Sequence, residues 1–329
     1  MKGLLKLVFF LIVTVAILLL GLRGFDLLVF SDFYKKSVSI FQTPGLNEGY
    51  VPQGFDYDAE EKTYLLTGYM SNDKASRVYV VDEKGNARCT ELKKANGDDY
   101  TGHTGGIAYY GDYLYITGSK GIDVFSYADV REGKTSIQCM GTVLTYIDPA
   151  YCTVHDGYLY AGSFADYDEE LEDYEETVTP SGDLNRSIIT VFRLDPNQEF
   201  GIDPAPKAVI TATDIVQGMC FTDQNEMILS TSRGLAQSKL YVYDLSDLAM
   251  ESDYHFQGTF KGKDFSFEGL KRYHLESEDL VDTIIAPPMS EEILYMNGRI
   301  YVMNESACNK YIFGKFTTGF YTYAYTYRK

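Results

Sequence analysis

Basic residues are scarce in this chain: 29 Lys and Arg stand against 47 Asp and Glu, a formal net charge of −18. An acidic surface repels phosphate, which argues against nucleic acid as a partner and disfavours adsorption to anionic lipid. Solubility is the ordinary reason for such a surface. Cysteine is sparse too. Cys89, Cys139, Cys152, Cys220 and Cys308 lie far apart and form no C-x-x-C, so neither a zinc site nor a redox motif is supported. An odd number leaves at least one thiol unpaired, and most of the five read as small core residues on strands. Spacing does not decide whether a disulfide forms, because pairing is a matter of geometry. G-x-S-x-G, H-E-x-x-H and the P-loop are all absent. A Ser-His-Asp set would need residues brought together from distant segments. Past the N-terminus no stretch reads as a long amphipathic helix, which leaves an all-β body.

What is present begins with "MKGLLKLVFFLIVTVAILLLGLRGF". Leu7 to Leu22 carries no charge, and Leu4 and Leu5 extend the run with only Lys6 inside it. The whole is close to the ~20 residues with which a helix crosses a bilayer. Lys2 and Lys6 precede the run and favour a cytoplasmic N-terminus, against Arg23, Lys35 and Lys36 beyond it, among which lie Asp26 and Asp32. A cleaved signal peptide would have a shorter apolar stretch and a small-x-small site, and no good A-x-A follows "ILLL". The reading is an uncleaved signal anchor: a single-pass protein of the cell membrane, held through residues 4–22, with its ectodomain outside the cytoplasm. A buried core helix is the plain alternative. At 45% hydrophobic the remainder is able to build a sizeable core.

That remainder repeats itself. Five segments share one pattern of polar or small residues, an alternating strand, a tight turn and a second strand. They are "PQGFDYDAEEKTYLLTGY", "TGGIAYYGDYLYITGS", "PAYCTVHDGYLYAGSF", "VQGMCFTDQNEMILSTS" and "SEEILYMNGRIYVMNES". The turns fall at Asp58, Gly111, Asp156-Gly157, Asp223 and Asn297-Gly298, which is hairpin chemistry. A third strand follows each: "RVYVVD", "GIDVFSY", "SIITVFRLD", "KLYVYDL" and "KYIFGKF". Less regular fourth strands follow, among them "ARCTEL", "IQCMGTVLTY", "KAVITAT" and "GFYTYAYTY". Four antiparallel strands repeated five times predict a β-propeller. The units start at Gln53, Gly105, Ala150, Gln217 and Glu291, an irregular spacing that long insertions on a fixed blade explain. The high content of Tyr and Phe (29 and 19) suits strands packed face to face between blades. Blade four is the least regular: "FSFEGLKRYHLESEDL" reads as an added hairpin or as part of a degenerate sixth blade. Residues 1–25 are thus the anchor, 26–48 a stalk in which "SVSIF" has the alternation of an edge strand, and 49–329 the propeller.

The repeated Gln-Gly that opens a blade, the segment "HTGGIAY" and "APPMSEE" with its closing "NES" resemble a group of membrane-anchored bacterial propeller proteins. More loosely they are similar to the YVTN, NHL and quinoprotein-like propellers. The resemblance spans the whole ectodomain. It implies fold and brings no activity and no catalytic residue with it.

Propeller geometry singles out one face. The inner strand of each blade lines the axis, and its start lies on the same rim as the end of the second strand and the loop to the third. Loops on a rigid scaffold are where function usually sits. The inner-strand starts bring Gln53, His103 with Thr104, Asp148, Gln217, and Glu291 with Glu292 to this rim. The second-strand ends bring Ser119, Ser163, Arg233 and Glu305. The apolar positions that follow, Phe55, Ile107, Cys152, Met219 and Ile293, are expected to pack between blades. The bland reading of rim polarity is a water-filled channel that is polar in any propeller. The sharper one is that Asp148, Glu291 and Glu292 supply oxygen ligands to a divalent cation such as calcium or act as a general acid and base.

The insertion "FADYDEELEDYEETVTPSGDLNR" joins the second and third strands of blade three and hangs over the same rim. It reads as a solvated, mobile acidic loop, or else as a lid or a docking segment for a basic partner. "NRS" at Asn185 and "NES" at Asn304 match the glycosylation sequon. His155 falls at a turn on the opposite face, and His255 and His274 fall in the irregular region. Three functions remain open. The first is a binding module that holds a glycan, peptide or protein on the axial rim. The second is an envelope scaffold without a small ligand. The third is a hydrolase. Five-bladed glycoside hydrolases draw carboxylates from successive blades, whereas blades one and two here offer Gln53 and His103, leaving Asp148, Glu291 and Glu292 to serve.

Overall fold

A computed structural model describes residues 2–168, 170–172 and 174–328. Five antiparallel sheets are arranged as the blades of a propeller. Blade one runs outward through Tyr50–Asp58, Thr63–Met70, Arg77–Asp82 and Ala87–Lys93. Blade two follows with Ile107–Tyr110, Tyr113–Gly118, Gly121–Ser126 and Gly141–Val143. Blade three holds Pro149–His155, Tyr158–Ser163, Ser187–Leu194 and Ile202–Ala212. Blade four holds Val216–Phe221, Glu226–Thr231, Ser238–Asp244 and Leu280–Ala286. Inner strands of neighbouring blades touch all the way round, the last of them (Ser290–Met296) against the first (Tyr50–Asp58), so the ring is closed.

The turns obey the chemistry that their residues dictate. Asp156-Gly157 and Asn297-Gly298 both carry positive φ at two successive positions, the backbone of a two-residue hairpin turn. The longer turn after Asp58 is pinned by that side chain, whose Oδ1 accepts the N–H groups of Glu60 and Glu61 at 2.8 and 3.1 Å. The seams between blades are apolar. Phe55, Ile107, Cys152, Met219 and Ile293 are all buried and fall one into each of five successive clusters. Each such side chain contributes about 1.5–3 kcal/mol by leaving water.

Three departures from the simple repeat matter. Blade five is completed from the other end of the chain: Ser290–Met296, Arg299–Asn304 and Tyr321–Thr326 are joined at the outer edge by Ser37–Gln42. "KYIFGKF", expected as its third strand, is instead a loop with a 3₁₀ turn over Phe313–Phe316, and Tyr321–Thr326 takes the third place. The second departure removes any sixth blade. Met250–Phe260 and Lys263–His274 form an added hairpin whose second strand lies parallel to Ile202–Ala212 and so widens blade three. Finally, "IQCMGTVLTY" is divided, Ser136–Gln138 lying along the edge of blade one and Gly141–Val143 along blade two.

The N-terminal helix α1 spans Lys2–Val29; its apolar stretch stands clear of the propeller, while Asp26 near its end is buried. By length and composition it is apolar enough to cross a membrane. A short helix α2, Ser31–Lys36, follows and leads straight into the outer strand of blade five. All five cysteines are free thiols. Both sequon asparagines are buried with their amide nitrogens engaged, Asn185 by Thr211 and Leu275, and Asn304 by Pro287 and Pro288.

Candidate functional site

The repeated opening of each blade turns out to be a bulge. Pairing slips by one residue around Gln53, Ala150, Gln217 and Glu291-Glu292. In blade two Gly105 and Gly106 both bond across to Thr117, the first through its N–H and the second through its carbonyl oxygen. An extra residue bends the strand and re-aims its side chain. The residue after it lies against the neighbouring blade. A Cβ on Gly54 would stand 2.5 Å from the carbonyl oxygen of Gly105, one on Gly106 2.2 Å from the nitrogen of Cys152, and one on Gly218 2.4 Å from Cα of Glu292. At Gly54, Gly106 and Gly218 the backbones of neighbouring blades therefore meet with no room for a side chain, which is why glycine recurs in these three blades.

Blade five puts Glu292 at this position. Its Oε2 accepts the N–H groups of Phe55 and Ile107 at 2.8 and 2.9 Å, and its Oε1 that of Cys152 at 3.0 Å. These are equivalent residues of blades one, two and three. The carboxylate thus fills the axis and ties four blades together. It does not stand on an open channel rim, as the repeat alone suggests. Burial pushes its pKa well above the usual carboxylate range, against the pull of the three N–H groups.

Around the bulges lies a second cluster. Glu305 Oε2 accepts a hydrogen bond from Gln53 Nε2 at 3.0 Å, and Gln53 also donates to the carbonyl of Pro52. Glu291 is buried beside Glu305, with its Oε1 unpartnered. Burial raises both pKa values, that of Glu305 to about 7, and the negative charge of Glu305 raises that of Glu291 further. Lys310, Tyr311 and Gln53 act on Glu305 in the opposite sense. Lys310 Nζ donates to the Tyr69 hydroxyl, and the Tyr69 ring packs on that of His103 at 4.6 Å. Burial, and then the charge of Lys310, hold the His103 imidazole below its ordinary pKa. Thr104 is wholly buried with its hydroxyl unpartnered.

His103 also borders an open cleft of about 550 Å³. One wall is the rim, with Ser119, Asp148 and Ser163. The other is the acidic insertion, with Glu170, Glu172 and Glu175, and the tip of the added hairpin, with Phe260 and Lys261. Lys261 Nζ reaches Asp148 Oδ2 at 3.0 Å across the opening. The Ser163 hydroxyl is committed to blade three, where it accepts the N–H of Ile188 at 3.0 Å.

Described residues of the insertion make specific contacts with the hairpin and with blade four. Tyr174 enters an aromatic nest with Phe256 and Phe265 of the hairpin, at 5.6 and 5.4 Å. Arg233 binds Asp166 and Asp168, each at 2.9 Å, and lies over the Tyr167 ring. Farther along, Glu276 accepts the N–H of Ser181 at 2.7 Å.

The structure thus separates residues that share the rim in sequence. Gln53, Glu291 and Glu305 form the buried cluster, Glu292 the axial plug, His103 and Asp148 the cleft, and Arg233 the clamp on the insertion. Gln217 is half-buried at its own bulge. Among the described residues no three His, Cys, Asp or Glu side chains are grouped to hold a metal ion. Lys261, Lys310, Tyr69 and Tyr174 escape the repeat comparison. Lys261-Gly262 has the turn signal of a hairpin, with positive φ at both residues, but nothing in the sequence says which blade that hairpin joins.

Neither a protein-family model nor a curated protein matches the chain. Solved structures are similar at low identity. The PQQ-bound aldose sugar dehydrogenase of Streptomyces coelicolor is 17% identical, with 81% of this chain and 76% of that one covered at a TM-score of 0.43. The glutaminyl cyclase of Myxococcus xanthus is 9% identical, with 89% and 95% covered at 0.43. The PQQ domain of the Coprinopsis cinerea pyranose dehydrogenase, in its holo form, is 9% identical, with 88% and 94% covered at 0.39. No residue role is carried across from them.

Proposed function

We propose that this chain is a membrane-anchored, extracytoplasmic propeller that binds a basic peptide or protein segment in the cleft over its axial rim. The observation that carries this is the charge of the lining. Asp148, Glu170, Glu172 and Glu175 face the cleft, while Lys261 is already paired with Asp148 and burial holds the His103 imidazole below its ordinary pKa. A positively charged ligand gains from a lining in which carboxylates (Asp148, Glu170, Glu172 and Glu175) outnumber basic side chains (His103 and Lys261), and the gain falls with salt. Of the carboxylates that a hydrolase would draw on, Asp148 lines the cleft while Glu291 and Glu292 are buried away from it, which favours binding over hydrolysis. The side of the membrane rests on Lys2 and Lys6 ahead of the apolar run.

The test is titration of the full chain in detergent with a lysine-rich peptide, an acidic peptide and a neutral oligosaccharide. Saturable, salt-sensitive binding of the first alone, weakened at least tenfold by Glu172→Gln with Glu175→Gln, is the expected result; a tenfold change is about 1.4 kcal/mol. Equal binding of all three, or of the oligosaccharide only, overturns the reading. A reporter fused after Lys329 is expected to be active only outside the cytoplasm.

A further inference from the structure

The junction between α1 and the propeller is packed and hydrogen-bonded, and it lies at the rim end. Phe30 and Phe33 are buried in the seam between blades four and five, with Phe33 stacked on Tyr325 at 5.5 Å. Within α1, Asp26 accepts hydrogen bonds from the Tyr34 hydroxyl at 2.9 Å and the Thr318 hydroxyl at 3.1 Å. Thr318 belongs to the connection between the second and third strands of blade five, which is a rim-end loop. From Phe30 in the seam, α1 passes Asp26 at this loop, packs against the 3₁₀ turn Phe313–Phe316, and leaves the propeller. No free linker separates the helix from the blade.

That same loop presents apolar side chains to solvent. Ile312 is 50% exposed and Phe316 39% exposed, beside a helix whose Leu22, Phe25 and Leu28 are exposed as well. Ile312 holds φ at 54°, a left-handed backbone that is costly for a β-branched residue. Strain that keeps an isoleucine outside the core calls for a partner. The apolar run of α1 ends at Leu22, with Arg23 next, so the loop lies against the helix near the depth at which a membrane would give way to water.

We infer that Ile312 and Phe316 insert into the interface of the bilayer that α1 crosses, which holds the propeller with its axial-rim end toward the membrane. This rests on α1 being retained in the bilayer. Lipid is the partner because the patch is continuous with the apolar helix and is made of aliphatic and aromatic side chains that interfaces favour.

The chain has no tryptophan, so one introduced residue is the sole indole emitter. The full chain is reconstituted in phosphatidylcholine vesicles brominated at the upper part of the acyl chains, as Phe316→Trp, as Leu11→Trp within α1, and as Tyr158→Trp on the opposite face. Loss of emission is expected at 316 and 11 and not at 158. Quenching at 11 without quenching at 316 overturns the inference and leaves the anchor standing. Quenching at neither removes both, and quenching at 158 instead of 316 inverts the orientation. Ile312→Trp serves in place of Phe316→Trp if that variant does not fold.

Discussion

Glu292, in the last blade, accepts the backbone N–H of Phe55, in the first, at 2.8 Å. Ile107 and Cys152 donate to the same carboxylate. One side chain thereby satisfies a buried N–H from each of three blades, and leaving such a group unpaired costs about 1–3 kcal/mol. Glu292→Gln turns an NH₂ toward at least one of these donors and is expected to cost about that much. Glu292→Ala orphans all three and empties the axis, for a loss on the order of 3–5 kcal/mol. Urea unfolding measures both. Stabilities unchanged from the parent would remove Glu292 from the closure of the ring.

The axis shows how far the sequence could be read. The five hairpins were legible because Asp156-Gly157 and Asn297-Gly298 are local signals, and turn geometry fixes register within a blade. The bulge was visible as a recurring Gln-Gly, but its meaning was not. A glycine at 54, 106 or 218 is required by a neighbouring blade, and no local pattern names the neighbour. For the same reason Glu292 reads as a rim residue until its partners are seen. Ser37–Gln42 pairs with a strand from the far end of the chain: its neighbour Thr43 is 279 positions from Thr322, and their hydroxyls lie 3.2 Å apart. The alternation of "SVSIF" announced a strand and could not announce its blade.

The pair Glu291 and Glu305 makes stability depend on pH. Both are acids whose folded pKa is raised, Glu305 to about 7, above an unfolded value of about 4.3. Between these values the folded state binds more protons, so the contribution is fully present at low pH and is lost as pH rises through about 7. For Glu305 the loss is at most about 4 kcal/mol. Glu305→Gln keeps an acceptor for Gln53 and takes away the titration. The parent is expected to lose stability relative to this variant from about pH 4 to about pH 7, and a constant difference across that window defeats the prediction.

The acidic insertion is held by Tyr174 in its nest with Phe256 and Phe265, and by Arg233 on Asp166 and Asp168. Tyr174→Ala removes an aromatic contact worth roughly 0.5–1.5 kcal/mol beyond its buried area. The hydrogen bonds of the blades do not depend on it. A glutamate-specific protease is expected to cut between Phe164 and Arg186 several times faster in the variant, while the global unfolding midpoint hardly moves. Equal cutting rates would mean that the clamp holds nothing.

Where the propeller begins can be settled by truncation. Ser37–Gln42 pairs with Tyr321–Thr326 and covers what would otherwise be a bare outer edge on blade five, and an uncovered edge is a template for association. Phe30 and Phe33 fill the seam beside it. A chain begun at Phe30 loses the apolar helix and keeps both features, whereas one begun at residue 49 loses all three. The first is expected to be soluble, monomeric and cooperatively folded. The second leaves Tyr323 and Tyr325 uncovered and is expected to aggregate or to melt far lower. Light scattering and thermal unfolding tell them apart. Equal behaviour would show that the blade closes without its N-terminal strand, and that burial of Phe33 against Tyr325 adds little.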